Sequence, residues 1–178
     1  MTDPSEGAVV VLRALRRTKQ IRQFTAEPVD PDALRQILEV ARWTGSSMNS
    51  QPWTFIVLRD RDDLDGIASR AQYARHVGKA PAAIAIVMPG EDAESEAYDE
   101  GRVAERILIA AHALDLGAGI GWAQGDTEQN AVRELLGVEP PAYVRTIVSL
   151  GHPTEQALRP RSAPGTARRP LSELVRER

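Results

Sequence analysis

The chain has 178 residues, 42% hydrophobic and 26% charged, with a net charge of -3. That length suits a single domain over 1–178, the composition is too apolar for a disordered chain, and the acidic balance argues against a nucleic-acid partner, which calls for a basic face. The absence of cysteine excludes disulfides, thiolate catalysis and Cys-ligated metals together, and it is compatible with the reducing cytoplasm in which the protein is expected to act.

In chain order, the spacing of Val9, Leu12 and Leu15 predicts a helix over Glu6–Arg17, followed by an irregular stretch that ends at Pro28-Val29. Asp30 as N-cap, Pro31 in the first turn and the stripe Leu34, Ile37, Leu38, Ala41 predict a second helix. A polar loop then leads to a strand at Trp53–Arg59 and a helix at Asp62–Arg75. The apolar run Ala82–Met88 reads as a buried strand and falls well short of the roughly 18 residues that span a bilayer, so no membrane partner is expected. The N-terminus places no charged segment ahead of an apolar stretch, so no signal peptide is expected.

The acidic stretch PGEDAESEAYDEG is expected to be solvated, with a long buried helix over Arg102–Leu116 behind it. Gly117–Ala123 reads as extended, Asp126 as the cap of a helix running to Leu136, and Tyr143–Gly151 as a last strand. From His152 the chain has little core of its own, but Leu158, Leu171, Leu174 and Val175 favour packing on another subunit.

Four groups of residues could carry chemistry. Arg16, Arg17, Lys19 and Arg22 form either a solvated basic helix end or a site for a phosphate or anionic ring. SSMNSQPW (Ser46–Trp53) is either a polar turn or a cradle for a flat polar ring. GAGIG (Gly117–Gly121) lacks the strand-before, helix-after context of a dinucleotide fingerprint, so its glycines are expected to admit close approach by a ligand or a neighbouring strand. Arg168-Arg169 is either solvated or one more cation for a phosphate. His76, His112 and His152 show no metal-ligand spacing, and no nucleophile elbow or phosphate loop is present, so any redox chemistry falls to a cofactor.

Taken in order, these segments resemble the FMN-dependent nitroreductase family over nearly the whole chain. Thr18 to Phe24 corresponds to that family's RRSxRxF-like segment, Thr44 to Phe55 to its APSxxNxQPWxF-like loop, and Glu105 to Gly117 to its ENLLLAAxxLGLG-like helix. Gly151-His152-Pro153 follows its GYP-like turn, and Arg168 to Val175 its RxPLxELV-like tail. The resemblance implies an α+β fold of three α/β/α layers around a mixed, mainly antiparallel sheet, with a domain-swapped tail at 152–178 that packs on a partner subunit.

It also implies FMN as cofactor, bound at the interface of a homodimer, and NADH or NADPH as electron donor. Arg22 matches the family's Arg at the flavin's pyrimidine edge or phosphoribityl chain, while Thr18 and Gln20 replace its first Arg and its Ser, which leaves Lys19 or Arg17 to compensate. Gly45, Ser46, Ser47 and Asn49 match the loop that meets the ring, backbone N–H groups at Ile120 and Gly121 would face it, and Arg168 matches the tail's phosphate-binding Arg. The implied activity is NAD(P)H-driven reduction of a small-molecule acceptor, a nitroaromatic, a quinone or another electron-poor compound. With no protein nucleophile, donor and acceptor are expected to use one flavin face in turn, by ping-pong hydride transfer. The alternative is a flavin carrier or sensor without turnover.

Overall fold

A computed structural model describes residues 5–159 and 168–177; the remainder of the expected tail lies outside the described residues. Helix α1, Glu6–Arg17, begins where the Ser5 side chain accepts the Ala8 N–H, and it ends at Thr18, whose N–H and hydroxyl both donate to the Ala14 carbonyl. None of its residues is buried, and Val10 and Val11 are 65% and 57% exposed, so among the described residues its apolar stripe is left largely uncovered, with α4 its neighbour. Helix α2, Pro31–Arg42, starts as its signals predict, with Asp30 accepting the Asp32 N–H at 3.1 Å and Leu34, Ile37 and Ala41 turned inward.

Strand β1, Thr54–Leu58, leads to α3, Arg61–Arg70. The expected helix at Asp62–Arg75 is broken. Ala71 takes an extended conformation, and a 3-10 segment, Gln72–Lys79, follows and buries Ala74 and Val77. Strand β2, Ala82–Met88, is buried at all seven positions.

The acidic stretch is solvated only in part: Glu91, Asp92 and Glu94 are exposed, but three of its carboxylates are not. Asp92 caps helix α4, Ala93–Ala113, by accepting the Glu94 and Ser95 N–H groups, and Glu96, Asp99 and Glu100 are all buried. Strand β3, Gly117–Trp122, precedes α5, Gly125–Leu135. Asp126 does not cap α5; instead Glu128, inside the helix, reaches back to accept the Gln124 N–H at 2.8 Å. Strand β4, Tyr143–Gly151, is followed by the short α6, Glu155–Leu158, and a 3-10 turn at Leu171–Glu173.

The four strands form one sheet in the order β1-β2-β4-β3, and all three pairings are antiparallel. Side chains alternate between two apolar layers. Ile84, Ile86, Val148 and Leu150 meet α2 and α4, while Ala83, Ala85, Val144 and Ile147 meet α3, the 3-10 segment and α5. This is the three-layer arrangement expected, and each large aliphatic side chain buried in it contributes roughly 1.5–3 kcal/mol.

Two irregularities shape the surface around β3 and β4. Between Ile86 and Val87 the partner on β4 jumps from Thr146 to Val144, which leaves Arg145 as the extra residue of a bulge. The segment after α1 runs extended beside β3, with Ile21 N–H donating to Ala118 C=O at 2.7 Å and Phe24 bridging Pro153. No helix among the described residues is long and apolar enough to cross a membrane.

Candidate functional site

The Gly pattern of β3 makes room for the chain itself. A Cβ on Gly117 would lie 2.6 Å from Ile21 Cγ2, and one on Gly119 would lie 2.9 Å from Arg22 Cγ. The neighbour that needs Gly117 and Gly119 is therefore the Ile21–Arg22 segment, whereas a Cβ on Gly121 would lie 2.9 Å from Ala74 Cβ. Ala123 N–H donates to Arg145 C=O at 2.9 Å, and antiparallel alternation then turns Gly121 and Gly119 into the ladder with Ile147 and Ser149. Ile120, between them, faces the free edge. Its N–H donates to Gln20 Oε1 at 3.2 Å, and its C=O accepts from Arg22 Nη2 at 3.4 Å. Arg22 Nη2 also donates to Gln20 Oε1, at 2.8 Å. Gln20, Arg22 and Ile120 thus form one exposed strip whose guanidinium has no acidic partner among the described residues. The Gly121 amide lies in the ladder, away from that strip.

His76 joins this strip at Gly119, and its position along the chain gave no sign of it. Its Nε2 lies 3.3 Å from Gly119 C=O, an oxygen that Ser149 Oγ also reaches at 3.0 Å. Burial, and secondarily the charge of Arg22, lower the imidazole's pKa, while the bond to Gly119 acts the other way.

The polar loop forms a second group, at the start of α4. Ser46 Oγ accepts the Gln51 N–H at 2.8 Å, and Ser47 N–H donates to the Asp99 carboxylate at 3.0 Å. Asp99 in turn pairs with Arg102 at 3.2 Å, and a Cβ on Gly45 would come within 2.9 Å of the same guanidinium. Met48, Asn49 and Gln51 all adopt positive φ, at 48°, 57° and 49°. Such strain persists where surrounding bonds enforce it, and it marks switch and ligand-clamp segments. Ser46 and Ser47 border a cavity of about 500 Å³ shared with Asp92, Tyr98, Asp99 and Arg102. The bonds of this loop run to α4, whereas those of Gln20, Arg22 and Ile120 run along β3.

The phosphate candidates separate by position. Lys19 Nζ donates to the Ala157 and Leu158 carbonyls, 3.3 Å each, so it ties the start of the tail to the segment after α1. Arg17 borders a cavity of about 450 Å³ with Val9, Leu12, Arg13 and Arg16. Arg168 has interactions of its own, and its neighbour Arg169 pairs with Glu173.

A further cluster lay outside the motifs. The bulge at Arg145 aims its guanidinium at Glu100 on α4, with Nε 2.9 Å from Oε2 and Nη2 bonded to the same oxygen. The guanidinium also lies between the rings of Trp122 and Tyr143, 5.2 and 5.3 Å from their centroids. Burial, followed by the charge of Glu100, pushes the Tyr143 phenol up to about 12.

Comparison with known proteins places these features in context. The model of the nitroreductase family matches residues 15–83. A protein of Archaeoglobus fulgidus, provisionally named an NADH dehydrogenase/NAD(P)H nitroreductase, is 30% identical over 151 residues, 82% of this chain and 86% of that one. A provisionally named nitroreductase of Desulfovibrio desulfuricans, solved in complex with FMN, is 30% identical and superposes with a TM-score of 0.77 over 99% of this chain and 98% of its own. The FMN-dependent nitroreductase of Clostridium difficile R20291 is 26% identical, with a TM-score of 0.77 over 81% of this chain and 88% of that one.

Proposed function

The chain belongs to the nitroreductase family, and from that premise we propose that it is an FMN-dependent NAD(P)H oxidoreductase acting as a homodimer on nitroaromatics, quinones or similar electron-poor acceptors. The observation that carries this reading is the exposed Arg22 guanidinium, held by the neutral oxygens of Gln20 and Ile120 on the open edge of β3. A flavin's pyrimidine edge alternates acceptors with an N–H donor. This strip offers guanidinium donors beside carbonyl oxygens, so the donor set fits the group. When bound, FMN supplies the redox chemistry, taking electrons from NAD(P)H and passing them to the acceptor. The protein's part is to bind and orient. Arg22 would pair with the edge that becomes anionic on reduction, Ile120 would contact the ring, and Ser46, Ser47 and Asn49 would supply polar groups from a loop held by Asp99.

Two observations support the dimer. The loop and the strip belong to separate hydrogen-bond networks, and a second copy would lay the loop of one on the strip of the other. No residue of helix α1 is buried among the described residues, and Leu171, Leu174 and Val175 of the tail are 74%, 58% and 51% exposed. With Lys19 committed to the Ala157 and Leu158 carbonyls, Arg17 is the better substitute for the family's cation at Thr18.

The purified protein should be yellow, and acid should release FMN in preference to FAD; a colourless protein that takes up no added FMN rejects the reading. Replacing Leu171, Leu174 and Val175 together by Ser should yield a monomer that no longer retains flavin. Parallel double-reciprocal lines with NADH or NADPH and a quinone separate this enzyme from a flavin carrier, which would turn over neither nucleotide.

A further inference from the structure

His76 is a titratable group that meets the β3 strip at the Gly119 carbonyl. Nε2 approaches a carbonyl, which can only accept, so Nε2 carries the hydrogen and donates it to Gly119. Nδ1 is then the position a second proton would take. The stem of Arg22 passes over the same glycine, with room only because residue 119 has no Cβ.

The charged groups around the imidazole divide clearly. Arg75 and Lys79 belong to its own segment. On α3, Arg61 and Asp65 pair with each other at 3.2 Å, and Arg61 also donates to Gly78 C=O. On α5, Glu128 accepts the Gln72 N–H at 3.2 Å. β3 and β4 present Gly119 and Ser149, which are uncharged. The charge that acts on His76 is that of Arg22.

We propose that His76 is a positioning residue that makes anion binding at Arg22 proton-linked: it holds Gly119, and with it the Ile120 edge, through a neutral imidazole, and it takes a second proton when an anionic oxygen settles on Arg22. The inference rests on the flavin reading above. An empty strip sets a protonated imidazole against the Arg22 guanidinium. An oxyanion on Arg22 removes that repulsion and adds an attraction, so the bound complex favours the proton. By linkage, affinity then rises as pH falls through the interval between the imidazole's pKa in the complex and its lower value in the free protein. The oxygen is either that of the FMN phosphate, which is anionic throughout, or the ring's C2=O, a neutral acceptor in oxidised flavin that becomes anionic on reduction.

The test is flavin affinity, by fluorescence quenching, from pH 5.5 to 8 for the full chain and for His76→Gln, which keeps an N–H donor but does not titrate. The two should bind FMN alike at pH 8. As pH falls toward 5.5 the wild type should come to bind several-fold more tightly than the variant, and about tenfold is the limit that a rise of one pKa unit on binding approaches below both pKa values. The ligand's own titration is common to both proteins and cancels in the ratio. A rise with FMN alone assigns the phosphate, and an equal rise with riboflavin assigns the ring, whose C2=O oxygen carries the negative end of a dipole in the oxidised form. A ratio that does not change with pH overturns the inference and leaves the flavin reading intact. FMN that binds neither protein at any pH overturns both. Melting of the apoprotein checks folding, and His76→Asn takes the place of His76→Gln if that variant does not fold.

Discussion

Two arginines mark opposite uses of the same side chain. Arg145, with its side chain 19% exposed, is paired with Glu100, itself 2% exposed, and is enclosed by Trp122 and Tyr143. Arg22 lies on the open edge of β3 and, among the described residues, donates to neutral acceptors, Gln20 Oε1 and Ile120 C=O. A guanidinium with its counter-charge already in place serves the fold. One positioned by neutral oxygens keeps its charge for something that arrives later. Each is built by a departure from regular strand structure, a bulge at Arg145 and a missing side chain at Gly119, under Arg22.

The largest expected effect tests the buried member. Arg145→Met removes the partner of Glu100 and leaves a carboxylate buried with its other oxygen, Oε1, already lacking a hydrogen bond among the described residues. The loss of folding free energy in urea titration should be about 3–5 kcal/mol, and Glu100→Gln in the same chain should recover much of it. Flavin affinity at permissive temperature should change little. A loss below about 1 kcal/mol would place the pair among ordinary surface bridges.

The exposed member should show the inverse pattern. Arg22→Ala should leave urea stability within about 1 kcal/mol of wild type but weaken FMN binding by about 1.5–3 kcal/mol, the scale of a charge-assisted hydrogen bond. It should also lower the flavin's reduction potential, because the anionic reduced ring loses a counter-charge. Arg13→Ala, on α1, is the control, and equal effects would put the cation of the site elsewhere. Gly119→Ala joins the two behaviours. Its Cβ would press on the Arg22 stem at 2.9 Å, so it should cost about 1–3 kcal/mol of stability by overpacking and weaken FMN as well.

The same contrast explains which features are legible in the sequence. Helices α1 and α2 carry their own start signals in Ser5, Asp30 and Pro31, and β2 is a continuous apolar run, so local chemistry suffices for their bounds. The motifs around Arg22 and Ser46 are legible because their order along the chain matches a family. The acidic stretch misleads because the partners of its buried carboxylates are distant or are backbone. Glu100 meets Arg145 forty-five residues away, and Glu96 accepts the N–H groups of Gly90, Glu91 and Asp92. No local pattern distinguishes these glutamates from the solvated ones beside them. His76 is invisible for the same reason, since the carbonyl it meets belongs to Gly119, on a different element. The Asp62–Arg75 helix fails at Ala71, where burial of Ala71, Ala74 and Val77 under the sheet prevails over helix propensity.

The smallest effect separates the two arginine sites by pH. At the Arg22 strip, burial first and then the guanidinium depress the His76 pKa, so the folded apoprotein resists a proton that the unfolded chain accepts near pH 6.5. Its stabilising contribution is therefore complete above 6.5 and is lost as pH falls below that value toward the imidazole's lower one. At the Arg145 cluster the sign reverses. Burial and the Glu100 carboxylate hold the Tyr143 phenol up to about 12, against a reference value of 10.0. Between those values the unfolded chain has released its proton and the folded chain has not, so stability present below pH 10 is lost as pH rises toward about 12. Melting temperatures followed from pH 5 to 12 should show His76→Gln flattening only the acid limb and Tyr143→Phe flattening only the alkaline limb. If either substitution altered both limbs, the two sites would be coupled through β3 and β4, and the division between a structural and a ligand-directed arginine would have to be abandoned.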